Sequence, residues 1–181
     1  MFKPFRYLHS VYDLDFSALR CIGIRGIVVD LDNTLLEWHR DTGTERLRQW
    51  FDTARENGMK AILVSNSKKP RVSKIAEPFG IPYIAFAKKP LPFAYRKALR
   101  LMDLPPEAVV VIGDQLLTDI LGGNLYGLKT ILVAPLSQKE GLVTRINRRL
   151  ERLILRLFVK RLPDADLECS TALEGGKDRA R

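Results

Sequence analysis

Cysteine, histidine and tryptophan are scarce in this 181-residue chain, at two residues each. Cys21 and Cys169 lie far apart and match no metal-ligand spacing, so the sequence indicates neither a disulfide framework nor a zinc site, and reduced thiols are expected. His39 stands alone and reads as an ordinary polar residue rather than a ligand. No stretch reaches the roughly 18 uninterrupted apolar residues of a membrane span. The opening, MFKPFRYLHSVYDLDF, puts polar residues where a secretory signal needs its apolar segment, so a cytoplasmic protein is expected. The phosphate-cradling signature GxxxxGK followed by Ser or Thr is also missing, which excludes nucleotide binding of the P-loop kind.

What remains is enough for one α/β domain. Hydrophobic residues make up 46% of the chain, sufficient for a real core. The net charge of +9 is uneven: residues 1–137 carry 19 basic and 14 acidic side chains, 138–161 carry 8 and 2, and 162–181 carry 3 and 5. Three parts follow: a main domain over 1–137, a basic segment over 138–161, and an acidic, glycine-containing tail over 162–181 that reads as disordered.

Within the main domain, continuous apolar runs at 26–31, 60–66, 82–87, 108–114 and 129–134 have the character of strands buried on both faces. Helical patterns separate them. The clearest combines Thr42 and Glu45 as a capping pair, then Leu47, Trp50, Phe51 and Ala54 at helical spacing, with Gly58 as a stop. Residues 70–79, 92–103 and 116–126 read similarly, with Gly80 and Gly127 as terminators. The alternation predicts a doubly wound, Rossmann-like, five-stranded parallel sheet.

Ligands bind such sheets outside the carboxyl ends of the strands, and four strand ends here are unusually polar. They carry Asp30, Asp32, Asn33 and Thr34; Ser65 and Asn66; Lys88 and Lys89; and Asp114 with Asp119. Three carboxylates near one point repel each other and call for a divalent cation, and all-oxygen ligation favours Mg2+. A lysine and a hydroxyl beside that metal suit a phosphoryl group. The chemistry read from the residues is phosphoryl transfer, with a carboxylate nucleophile as the alternative to nucleotide cradling.

The segments DLDNT, SN, KKP and GDQLLTD, in that order, resemble the four motifs of the haloacid-dehalogenase superfamily. The resemblance implies Asp30 as the nucleophile that forms an aspartyl-phosphate. It makes Asp32 the acid that protonates the leaving oxygen and then activates water, with its protonation poised near neutral pH. Ser65 and Lys89 would complete the catalytic set, and Thr34, Ser65, Asn66 and Lys89 would bind phosphate. Asp30, Asp32 and Asp114 would hold the metal, with Asp119 behind them or as a further ligand. Lys88 competes with Lys89, which is favoured because it directly precedes Pro90.

Only 34 residues separate Asp30 from Ser65 and 23 separate Ser65 from Lys89, too few for a cap domain besides a helix and a strand. The stretches GIRGIVVDLDNTLLEW, KKPLPFAYRKAL and GDQLLTDILGGNLYGLKTILVAPL are similar to the small capless subclass III phosphatases, which include phosphatidylglycerophosphate phosphatases and their bacterial relatives. That implies a phosphomonoester hydrolase acting on phosphatidylglycerophosphate at the inner face of a membrane, or on a soluble phosphomonoester. At about 100° per residue, Leu142, Val143, Ile146, Leu150, Leu153, Ile154, Leu157 and Phe158 fall on one side of 142–158, opposite Arg145, Arg148, Arg149, Arg152 and Arg156. Such a helix either docks on the sheet or lies on an anionic membrane. A different class, a basic nucleic-acid-binding or regulatory module, is opposed by the lack of any stacking platform and by the intact Asp30 and Asp32 pair.

Overall fold

The computed structural model describes residues 2–137. The amphipathic segment 142–158 and the acidic tail lie outside the described residues, as do the boundaries assigned to them.

β2 (Gly26–Val29) forms the middle of the sheet, paired in parallel with β3 (Lys60–Val64) on one side and β5 (Val109–Gly113) on the other. β4 (Tyr83–Ile84) extends the sheet beyond β3, and β6 (Lys129–Val133) extends it beyond β5. The sequence predicted five strands, and the sheet has six: β1 (Arg6–Leu8) adds itself to β6 with Tyr7 opposite Leu132. Three half-buried residues, one of them charged, make no apolar run, so edge pairing rather than burial defines this strand.

Alternation along the strands supplies two cores. Ile27, Val29, Val110 and Ile112 point into one cluster with Leu47, Trp50, Phe51 and Ile75. Val28, Val109 and Val111 point into the other with Tyr95, Ala98, Leu99 and Met102. A strand with a helix layer on each face has no polar side, which is why these strands read as unbroken apolar runs.

The helices are α1 (Phe16–Cys21), α2 (Glu45–Glu56), α3 (Lys69–Ala76), α4 (Phe93–Met102) and α5 (Leu121–Leu125). α2 buries Leu47, Trp50, Phe51 and Ala54, the four positions its spacing picks out. Its cap is Thr44, not Thr42: the Thr44 hydroxyl accepts from the Leu47 amide at 3.2 Å. The predicted 116–126 helix is split, opening as a wide five-residue turn (Leu116–Ile120) before α5. Among the described residues no helix is long and apolar enough to cross a membrane.

β2 is where the strand order turns back on itself, because β3 and β5 leave on opposite sides. The carboxyl ends of these two neighbours and of β2 itself therefore bound an open crevice.

Candidate active site

The Asp30 amide donates to the Ile112 carbonyl at 2.9 Å, one step beyond β2, so the sheet ladder itself fixes where this carboxylate starts. The chain then reverses. Asn33 sits at φ 63, a left-handed conformation that asparagine tolerates, and its side-chain oxygen accepts from the Trp38 amide at 3.2 Å. The turn brings Thr34 back under Asp30, where its hydroxyl lies 3.4 Å from Asp30 Oδ2 and 3.3 Å from Asp114 Oδ1. Thr34 thus joins the ends of β2 and β5.

Lys89 enters from the loop after β4. Its ammonium donates to Asp30 Oδ1 at 2.7 Å and to Asp119 Oδ1 at 2.6 Å, and all three side chains are buried. Lys88 is exposed. Asn66 fixes the Lys89 backbone from both sides: its carbonyl accepts from the Lys89 amide at 2.8 Å, and its amide donates to the Lys89 carbonyl at 3.3 Å. In this structure Asn66 therefore works on Lys89.

The wide turn after β5 swings Asp119 beneath Lys89, where the Gln115 amide donates to Asp119 Oδ2 at 3.3 Å. Gly113 leaves it room. A β-carbon on Gly113 would overlap the Asp119 carboxyl, a group pinned on both oxygens. Gly113→Ala should therefore cost about 1–3 kcal/mol by overpacking and lower turnover together with it, as urea denaturation and a phosphatase assay would show.

Asp30, Asp114 and Asp119 offer carboxylate oxygens that all lie within 4.8 Å of one another, and all three residues are buried. Asp32, grouped with the metal ligands by the sequence, is not in this set. Both of its oxygens are engaged elsewhere: Oδ1 accepts from Arg71 Nε at 2.9 Å and Nη2 at 2.6 Å, and Oδ2 from the Ser67 hydroxyl at 2.6 Å. The Ser65 hydroxyl lies 3.4 Å from the same Oδ2. Asp119, expected from the sequence either behind the ligands or as a further one, stands among the three.

The electrostatics follow from this crowding. Burial pushes the Asp30 carboxyl up to about 7; Lys89 opposes the rise, while Asp119 and Asp32 add to it. Burial works against the Lys89 ammonium as well, but Asp119 and Asp30 together outweigh it and hold its pKa above that of an ordinary lysine. Tyr95, whose hydroxyl donates to the Thr118 carbonyl at 2.8 Å, is also raised, by burial first and then by Asp119.

Sequence reasoning missed Arg71 and Ser67. Arg71 is one more basic residue in the first turns of α3, where Lys68 and Lys69 are exposed, and nothing local distinguishes it. Only the fold, by bringing α3 beside the turn after β2, gives it Asp32 as a partner.

The fold matches known structures. The structure superposes on the cobalt-bound deoxy-D-mannose-octulosonate 8-phosphate phosphatase of Haemophilus influenzae with a TM-score of 0.52 at 12% identity, over 76% of this chain and 90% of that one. An uncharacterized protein of Listeria monocytogenes gives 0.51 at 15% identity, over 72% and 98%. Residues 86–149 match the family model described as HAD-hydrolase-like. The chain is 46% identical over 154 residues to the probable phosphatase YqeG of Bacillus subtilis, covering 85% of this chain and 90% of that protein.

The chain therefore belongs to the haloacid-dehalogenase superfamily and is a phosphatase. A phosphatidylglycerophosphate phosphatase of Chlamydomonas reinhardtii is 29% identical over 137 residues, 71% of this chain but 51% of its own length.

Proposed function

We propose that this phosphatase cleaves phosphomonoesters through an aspartyl-phosphate on Asp30, with Mg2+ as its metal. The observation that carries the reading is the buried Asp30 carboxylate, set at the carboxyl edge of the central strand, held by Lys89 and adjoined by Asp114 and Asp119. One ammonium neutralises one of these three carboxylates, and a divalent cation would neutralise the other two. The all-oxygen donor set suits magnesium.

Asp30, Asp114 and Asp119 would hold the ion, which would supply positive charge to the phosphoryl oxygens. The rest belongs to the chain. Lys89 favours the ionised form of Asp30 and holds it in place for attack on phosphorus, opposite the leaving oxygen. The Ser65 hydroxyl and the Lys89 ammonium are donors for the phosphoryl oxygens. Asp32 gives the departing oxygen its proton, then takes one from the water that hydrolyses the aspartyl-phosphate.

The substrate we infer is a lipid-borne phosphomonoester of the phosphatidylglycerophosphate kind. It is supported by the likeness to the Chlamydomonas enzyme and to an Arabidopsis thaliana phosphatidylglycerophosphate phosphatase, 27% identical over 166 residues. The short connections after Asp30 and Ser65 leave the crevice open to a bulky leaving group. A screen of phosphomonoesters with Mg2+, including phosphatidylglycerophosphate in anionic vesicles, should find the lipid the best substrate. Faster hydrolysis of a soluble compound would overturn the lipid assignment, and no hydrolysis of any would overturn the mechanism.

The metal can also be tested without turnover. The raised Asp30 pKa means the folded protein keeps a proton that the unfolded chain releases near pH 4. Metal-free stability should therefore fall as pH rises from about 4 to about 7. Mg2+ competes with that proton, so its stabilisation should be full at pH 8 and shrink toward pH 5. A hundredfold excess over Kd is worth about 2.7 kcal/mol, or roughly 5–10 °C in Tm. A Tm that ignores Mg2+ at pH 8 would remove the metal from the mechanism.

A further inference from the structure

We propose that Arg71 is an anion-recognition residue, exchanging Asp32 for a second negatively charged group that the substrate carries near its phosphate. The inference rests on the phosphatase reading above and deepens it by naming a feature of the leaving group.

Arg71 projects from α3 to the turn after β2 and makes every contact there with acceptors. Nε and Nη2 converge on the single oxygen Asp32 Oδ1, at 2.9 and 2.6 Å. Nη1 donates to the Arg40 carbonyl at 2.8 Å and to Asp41 Oδ1 at 3.3 Å. The Arg71 side chain keeps 19% of its surface exposed, beside an Asp41 side chain that is 74% exposed. A contact with so exposed a carboxylate holds Arg71 weakly.

As it stands, Asp32 cannot meet a leaving oxygen. Arg71 occupies Oδ1 with two N–H groups, and the Ser67 hydroxyl occupies Oδ2. For Asp32 to act on the leaving group, Arg71 has to let go of it. A permanently charged guanidinium gives up a carboxylate cheaply only when another anion replaces it. Its planar fork fits a carboxylate or phosphodiester with two parallel hydrogen bonds, better than its present convergence on one oxygen. Exposed Lys68 and Lys69, on the same end of α3, add positive potential for such a group. A substrate with a second anion would thus bind Arg71 and release Asp32 in one exchange, whereas a substrate without one leaves Asp32 held.

The test uses the full chain with Mg2+ and three soluble phosphomonoesters. Glycerol phosphate has no second anion, phosphoglycerate has a carboxylate, and the deacylated headgroup of phosphatidylglycerophosphate has a phosphodiester. Wild type should favour one or both of the latter two in kcat/KM, and whichever it favours identifies the anion. In Arg71→Ala that preference over glycerol phosphate should fall at least about tenfold, chiefly through KM. Arg71→Lys should recover part of it, since a lysine keeps the charge but not the fork. Asp41→Ala, at an exposed position, removes a competing acceptor and should lower KM for the favoured substrate. A preference unchanged in Arg71→Ala overturns the inference, whatever the absolute loss, and leaves the phosphatase reading intact. A wild type with no preference for a second anion overturns the inference as well, and one inert also toward phosphatidylglycerophosphate in vesicles overturns both readings.

Discussion

Asp30→Asn should abolish turnover, by about four orders of magnitude or more, without unfolding the protein. An amide is a poor nucleophile toward phosphorus, and the other carboxylate at the end of β2, Asp32, stands outside the cluster that Asp30 forms with Asp114 and Asp119. The same change bears on stability in the opposite sense. Burial already disfavours the Asp30 carboxylate enough to push its pKa to about 7, so at pH 8 the metal-free fold carries an under-compensated charge. The neutral amide of similar shape removes that charge while Asp119 remains beside Lys89. Metal-free Asp30→Asn should therefore melt no lower than wild type at pH 8, and its Tm should respond less to Mg2+. A variant that keeps wild-type turnover on any good substrate would remove Asp30 from the nucleophile's role. A variant that melts well below wild type would show that the carboxylate stabilises the fold.

Where burial imposes a pattern, the sequence is legible. β2 and β5 are buried at every residue and β3 and β6 beyond their first one or two, and a buried stretch with no solvent side is apolar nearly throughout. Leu47, Trp50, Phe51 and Ala54 show the same for a helix with one buried stripe. β1 escapes notice because backbone pairing at a sheet edge leaves little trace in side-chain chemistry. The cap of α2 illustrates a local ambiguity: Thr42 and Thr44 both precede the helix, and only backbone geometry decides that Thr44 reaches the Leu47 amide.

Legibility at the site divides along the same line. The polar residues that follow strands announce themselves, since the strands end where they begin: Asp30, Ser65 and Asp114 come directly after β2, β3 and β5, and Lys89 lies in the loop after β4. Lys89 and Lys88 are neighbours with identical chemistry, and of the two it is Lys89 whose ammonium is buried between Asp30 and Asp119. What the sequence does not carry is the partner of each group. Asn66 faces the Lys89 backbone, Asp32 faces Arg71, and Asp119 joins Asp30 and Asp114, each because a loop of particular shape brings residues from different strands together. Spacing along the chain holds no record of such encounters. Arg71 is the clearest case, since on its own helix it is one of several basic side chains.

The second large effect is expected at Lys89. Lys89→Met keeps the length and bulk of the side chain but deletes the ammonium that donates to Asp30 and Asp119. Removing one partner of a buried ion pair leaves the other charged in a medium that cannot solvate it, a cost of about 3–5 kcal/mol. Here two carboxylates are stranded at once, and proton uptake by Asp30 relieves part of the cost. The raised Lys89 pKa gives the sign: the stabilisation is fully present below the ordinary lysine range near pH 10 and is lost only as pH climbs through the folded value. Wild type should thus keep this contribution across the working range, and the deficit of Lys89→Met should be larger at pH 8 than at pH 5, where Asp30 is protonated. Turnover should fall by about 10²–10³, the usual effect of losing one well-placed donor to a developing negative charge. Lys88→Ala is the control, one residue away with an exposed side chain, and its stability should stay within about 0.5 kcal/mol of wild type. Urea denaturation at the two pH values, with a phosphatase assay beside it, separates the outcomes. Equal losses at the two lysines would mean that the buried bridge between Asp30 and Asp119 does not organise the site.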